Sequence, residues 1–422
     1  MKKIVSVLTI FLAGCSSMTQ TVSDQDRLVS LQIIDRNDIT ETISSKEKLE
    51  KYQNKNFDAP QPYKQVLRLY NNQKEAKTFG KLSSYHANGN LWQTLEVADA
   101  RANGLYQEWY PNGQMKAQVK VIGGPANLSD QSKEEWIFDG ISSIWNEKGV
   151  LIAEIPYVKG ILSGVANHYY ETGEKKASLP YEKNQIHGEA IYWNLDGNLI
   201  KRIQFGKGIK SGKSESFWPK EIPSTIEIYE NGNLSTGYYY TPQKELISSI
   251  TNGNGTAIQF KHETIWKKTP YIRGVPHGKV EKFTKDGQLK KRYNLYHGKR
   301  QGEEVCYYTN NDSKEQPKLS FNWLDGYIHG VVKTWYPGGK VKSQHEMSKN
   351  RKTGMYLVWY KTGQVMLVEE YENDRLINGK YFKLNEKEPC SKVHKGSGTA
   401  SLFDEEGILI KKITYDKGSI VE

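Results

Sequence analysis

Gly140-ISSIWNEKGVLIAEIPYVKGILS, Gly164-VANHYYETGEKKASLPYEKNQIH and Gly188-EAIYWNLDGNLIKRIQFGKGIKS follow one another without a gap, and Gly212 starts where the third ends. The period is 24 residues. With the opening glycine as zero, an aromatic stands at +5 (Trp145, Tyr169, Trp193), a glycine at +9 (Gly149, Gly173, Gly197) and another aromatic at +17 (Tyr157, Tyr181, Phe205). A fixed period of this length marks an array of one supersecondary unit, in which each repeat buries its apolar surface against its neighbours.

Carried outward, the same ruler opens units at Gly80, Gly104, Gly278, Gly302, Gly330, Gly354 and Gly398 as well. Position +5 is aromatic in all ten units, adding Tyr85, Trp109, Phe283, Tyr307, Trp335, Trp359 and Phe403, and +9 is glycine in nine, with Asn311 the exception and Gly113 the clearest outer member. If +7 to +9 form a three-residue loop closed by a left-handed glycine, +5 pairs with +11, which is usually aliphatic. Such an aromatic–aliphatic cross-strand pair contributes roughly 0.2–1 kcal/mol. A second turn at +18 to +20 ends in Gly160, Asn184, Gly208, Gly298, Gly326, Asn350, Asp374 or Gly418, residue types that tolerate positive φ. The expected fold is therefore all-β, an elongated array of stacked antiparallel hairpins forming a meander over residues 63–422. Odd numbering puts +5 and +17 on one face as an aromatic ridge whose rings pack on one another. Three stretches break the ruler, at Gly123–Glu135, Ser214–Gly255 and Glu386–Gly398, and read as surface loops and as places for contact.

Only 37% of the residues are hydrophobic while 11% are aromatic, so burial rests on large amphipathic rings. The formal net charge is +11, and its excess is local. Lys267, Lys268, Arg273, Lys279, Lys282, Lys285, Lys290, Lys291, Arg292, Lys299 and Arg300 face only Glu281 and Asp286 between Thr264 and Arg300. A stripe of this density suits an anionic lipid, a polysaccharide or an acidic protein face, or else is a set of solvated outer positions. Cys306 and Cys390 lie three repeats apart, about 29 Å at strand spacing, which is beyond the span of a disulfide.

The chain begins MKKIVSVLTIFLAG, two lysines and then a run from Ile4 to Ala13 that is too short to span a bilayer. Residues 1–14 therefore read as a signal peptide. Leu12-Ala13-Gly14-Cys15 resembles a lipobox, the signal of bacterial lipoproteins, which implies cleavage before Cys15 and lipidation there. Acyl chains would anchor the protein to a membrane at about 0.8 kcal/mol per buried methylene. Ser16 and Ser17, with no aspartate after the cysteine, resemble lipoproteins passed on to the outer membrane of a two-membrane cell. Residues 15–62 are polar and without period, and read as a tether, with one short helix from a Ser44–Ser45 cap to Tyr52. A first hairpin is expected from Val66 to Tyr70, with an Asn71–Asn72 turn and a return toward Phe79.

No nucleophile elbow, phosphate loop, dinucleotide fingerprint or zinc spacing occurs. His187, His277 and His329 each precede an opening glycine and are turn residues of the repeat; His277 and His329 stand two units, roughly 20 Å, apart. The expectation is a chain with no catalytic residue, no metal and no cofactor. Trp109-Tyr110-Pro111-Asn112-Gly113 and Trp335-Tyr336-Pro337-Gly338-Gly339, each followed by an aliphatic, an aromatic and a second turn, resemble the bacterial variant of the MORN repeat. The resemblance covers most of Gly80 to Gly418 and implies a twisted sheet of stacked hairpins. Members of that group are often labelled antitoxins of toxin–antitoxin pairs, and eukaryotic relatives have been proposed as membrane or protein-binding scaffolds. The expected function is a lipid-anchored, non-enzymatic envelope scaffold for a protein or an anionic envelope component, not nucleic acid. The alternative is an immunity protein neutralising a toxin in the envelope.

Overall fold

The computed structural model describes residues 26–72, 77–309 and 315–421. Among them run 36 β-strands, two five-residue α-helices and one 3-10 turn, and no helix is long and apolar enough to cross a membrane. The chain divides into two compact units, the first reaching Leu199 and including Phe205–Gly208, the second formed by Ile200–Gln204 with the chain from Ile209 onward. Within each unit, strands pair antiparallel with their neighbours in sequence, as a meander. The leader and Cys15 lie outside the described residues, as does Asn311.

The repeat folds as its glycine dictates. In the unit at Gly164, the Tyr170 N–H donates to Glu174 O at 2.8 Å and the Gly173 N–H to Tyr170 O at 3.0 Å. Gly173 takes φ +102°, a conformation that strains a residue carrying Cβ. Tyr169 then pairs with Lys175, +5 with +11, and the same register joins Trp109 to Met115, Trp145 to Leu151, Trp335 to Val341 and Trp359 to Val365. At the other end, Lys183 and Asn184 both take positive φ, +50° and +66°, the pattern of a two-residue type I′ turn. Asn184 uses its side chain as well, its Oδ1 accepting the Leu162 N–H at 2.8 Å.

The aromatic ridge does not form. One step past the +5/+11 pair the register slips, so that His168 faces Ala177 and Gly164 faces Tyr181. The residue at +12 is a bulge, and one extra residue reverses the parity of the rest of its strand. Position +17 is thereby on the face opposite +5, sharing its side with the small residues Ala166, Ala177 and Ala190, which are buried. Where +5 rings need cover, a cation supplies it: Lys175 Nζ, the polar exception at +11, stands 5.3 Å above the Trp193 ring.

Residues 26–62 are not a tether. Asp26–Ile34 pairs with Thr40–Ile43 and with Gln65–Asn72, the edge strand of the array. Leu28, Leu31, Ile33, Ile43, Leu49 and Phe57 form a buried cluster with Val66 and Tyr85, and the Tyr85 hydroxyl donates to Phe57 O at 2.7 Å. A bulge between Leu28 and Ser30 breaks the alternation, which is why the stretch reads as aperiodic. The expected helix is present as Lys46–Glu50 after Ser45, although the Ser45 hydroxyl makes no capping bond. Asn71 and Asn72 are strand residues, paired with Thr78 and Lys77, and not the expected turn.

The irregular stretches are packed as well. Following Gly123–Glu135, Trp136 lies edge-on to Tyr106 with centroids 4.8 Å apart, and its indole N–H donates to Pro125 O. In the second unit the other two stretches belong to one module built twice. Leu234, Tyr239, Ile250 and Ala257 form one buried cluster, and Leu376, Tyr381, Val393 and Ala400 form another in the same chain order. Each is fastened by a glycine pair, Gly274 N–H to Gly253 O and Gly418 N–H to Gly396 O. Glu227 accepts the hydroxyls of Tyr229 and Tyr239, both at 2.9 Å, and Glu369 those of Tyr371 and Tyr381 at 3.0 and 2.7 Å.

Candidate functional site

The residues that recur with the period hold hairpin to hairpin. The +5 rings of Trp109, Trp145, Tyr169, Trp193, Trp335 and Trp359 are half-buried within the sheet, and Gly113, Gly149 and Gly197 repeat the positive φ of Gly173. A contact absent from the sequence reading joins consecutive units at +6. The Tyr170 hydroxyl donates to Trp193 O at 2.9 Å, Tyr110 to Trp145 O, Tyr308 to Trp335 O and Tyr336 to Trp359 O, while His86 Nε2 lies 2.9 Å from Trp109 O. Each hydroxyl thus reaches the +5 carbonyl of the following unit.

The basic stripe is not one surface. Lys267, Lys282 and Lys291 are register partners across three strands, Thr264–Ile272, Gly278–Phe283 and Leu289–Tyr296, and point to one face. Lys268, Glu281 and Arg292 form the adjacent row and point to the other. Arg273 and Lys285 are in turns, and Lys279, Lys290 and Lys299 are exposed. Several cations are neutralised internally. Arg292 bonds Glu281 at 3.1 Å and the Tyr307 hydroxyl at 3.0 Å. Glu304 is fully buried and held by Lys291 at 2.6 Å, Arg300 at 3.0 Å and the Trp323 indole at 2.8 Å, an arrangement a buried carboxylate requires. Lys268 lies over Phe283 and Lys282 over Trp266.

Of the stripe, Lys267 and Arg300 line a groove of about 660 Å³ on the second unit, where strand Thr264–Ile272 aligns Lys267, Thr269 and Tyr271 on one face by alternation. Lys201, Lys210, Glu227, Tyr229 and Tyr293 also line it, with the hydroxyl residues Ser216 and Ser224 and the apolar Ile258, Phe260 and Trp266. Lys210 lies 4.5 Å over the Tyr229 ring and bonds its hydroxyl, and Arg300 is tied to Glu304. The ammonium groups of Lys201 and Lys267 make no ion pair or hydrogen bond among the described residues. Burial holds both ammonium groups below the ordinary lysine range, reinforced at Lys201 by Lys210, against Glu227, and at Lys267 by Lys282 and Arg300. Thr269 is 5% exposed and its Oγ1 is buried without a partner. Lys267 and Arg300 were marked by the sequence; Lys201, Lys210 and Thr269 were not, because they are brought together by the module that breaks the ruler.

Comparison with protein families places residues 102–121 and 328–349 in the MORN repeat variant. These segments fall on the hairpins of the units opened by Gly104 and Gly330, so the chain carries MORN repeats, which suggest a repeat-based binding or scaffold role. No curated protein matches the chain.

Proposed function

We propose that the protein is a lipid-anchored, non-enzymatic binding array of the cell envelope, held in the membrane through Cys15 and presenting its second unit to a protein or an anionic envelope component. The observation that carries this reading is the contrast between two sets of side chains. Those that recur with the repeat are engaged with one another, whereas the groove keeps two cations without an ion pair in partial burial, beside a buried hydroxyl without a partner. Charged groups held partly out of water without an ion pair lower stability, and binding of an anion offsets that cost. Anchorage is supported by the apolar run from Ile4 to Ala13 and the Leu12-Ala13-Gly14-Cys15 tetrad; Ser16 and Ser17 favour the outer membrane where there are two.

The test is an affinity pull-down from crosslinked envelopes with the native protein beside its Cys15→Ser form. A partner captured by the native protein and lost with the anchor is the expected result. A partner kept by the soluble form and encoded beside this protein would replace the scaffold reading with the immunity one. An empty capture in both forms would remove the protein partner and leave the anionic component.

A further inference from the structure

We infer that the groove lined by Lys201, Lys267 and Thr269 is a binding site for a phosphate ester of small-molecule size. Two ammonium groups without an ion pair line it, together with a buried hydroxyl whose oxygen has no partner. An ammonium is a point charge with rotatable donors, suited to a group carrying three or four acceptor oxygens spread in space, whereas the two-oxygen plane of a carboxylate suits an arginine fork. Arg300, the arginine of the groove, is already committed to Glu304. Glu227, whose oxygens both accept tyrosine hydroxyls, makes no ion pair with Lys201 and offsets its charge only through space, and no carboxylate acts on Lys267. The volume of about 660 Å³ exceeds a bare phosphate and leaves room for its substituent beside Tyr271 and Tyr293.

The duplicated module provides an internal comparison. Lys352 occupies the place of Lys210, lying over Tyr371 as Lys210 lies over Tyr229. By sequence offset, however, Ser343 stands where the first copy has Lys201, and Ile413 where it has Thr269. Lys201 and Thr269 therefore belong to one copy and are not required by the shared architecture, whereas Lys267 has a lysine counterpart, Lys411, in the other.

This inference rests on the reading of the chain as a binding array but not on its anchorage or on a protein partner, so an empty pull-down leaves it untouched. The test is isothermal titration of the full-length chain with inorganic phosphate, glycerol phosphate and glucuronate, beside flotation with phosphatidylglycerol vesicles. Expected are saturable binding of glycerol phosphate and no binding of glucuronate. Affinity should fall by about tenfold or more in Lys201→Gln/Lys267→Gln and in Thr269→Val, and stay unchanged in Lys352→Gln. The double variant should also unfold at equal or higher urea than the parent, which separates a lost site from a lost fold. Vesicle binding with the same loss in the double variant identifies a lipid headgroup as the source, and soluble ester binding alone identifies a free one. The inference is overturned if no phosphate probe saturates, if the double variant keeps its affinity, or if glucuronate binds as well as the ester.

Discussion

The Tyr336 hydroxyl reaches the Trp359 carbonyl at 2.8 Å, and its counterparts repeat that bond from unit to unit. Tyr336→Phe keeps the ring and removes the bond, leaving a carbonyl between two hairpins without its donor. Stability should fall by about 1 kcal/mol, read from the urea midpoint, with Tyr170→Phe giving a similar loss. A change within error at both positions would mean that water replaces the hydroxyl at no cost. The +5 ring and the +9 glycine were legible because each answers to a repeated residue type. The +6 tyrosine was visible only as half of an aromatic pair such as Trp335-Tyr336, since its target is backbone and leaves no mark on the sequence. The +12 bulge escaped for a related reason: no residue type is reserved for it, yet it decides which face Tyr181 and Tyr157 occupy.

At the level of the element, hairpins of constant length were legible and the modules that interrupt them were not. Ser214–Gly255 and Glu386–Gly398 differ in length and composition, but the modules they belong to each place a leucine, a tyrosine and a glycine pair at equivalent points of one cluster. Their common centre is a carboxylate between two tyrosines. In Glu369→Ala, Tyr371 and the fully buried Tyr381 lose their acceptor together. An unsatisfied buried hydroxyl costs about 1–3 kcal/mol, so a loss of about 2–4 kcal/mol is expected in urea unfolding followed by near-ultraviolet circular dichroism. Glu369→Gln should lose less, because the amide oxygen still accepts one hydroxyl. Equal losses in the two variants would show that charge, not acceptor capacity, holds the cluster. Gly237 and Gly379 show why these positions are closed to change: a Cβ on either would stand within 3 Å of the tyrosine hydroxyl two residues on.

On the scale of the whole molecule, a core made of tyrosines links stability to alkaline pH. The polar composition was legible as a reliance on rings, but which rings are sealed depends on the register and on the N-terminal strand that the sequence disguised. Burial pushes the hydroxyls of Tyr85 and Tyr106 in the first unit well above the tyrosine range, as it does those of Tyr229, Tyr239, Tyr371 and Tyr381 in the second, where Glu227 and Glu369 add to the effect. Tyr360 is pushed up to about 12 by burial. A group that binds its proton more tightly when folded contributes stability in full below its unfolded pKa of about 10, and loses it as pH climbs toward the folded value. The urea midpoint should therefore not respond to these groups below about pH 9 and should fall steeply above about pH 10. Each such tyrosine adds a slope of about 1.4 kcal/mol per pH unit. Replacing Tyr239 and Tyr381 together by phenylalanine should lower the midpoint at neutral pH, through loss of their bonds to Glu227 and Glu369, and flatten the alkaline decline. If the double variant declines as steeply as the parent, lysine deprotonation governs alkaline unfolding, and the tyrosine cores are not the titrating element.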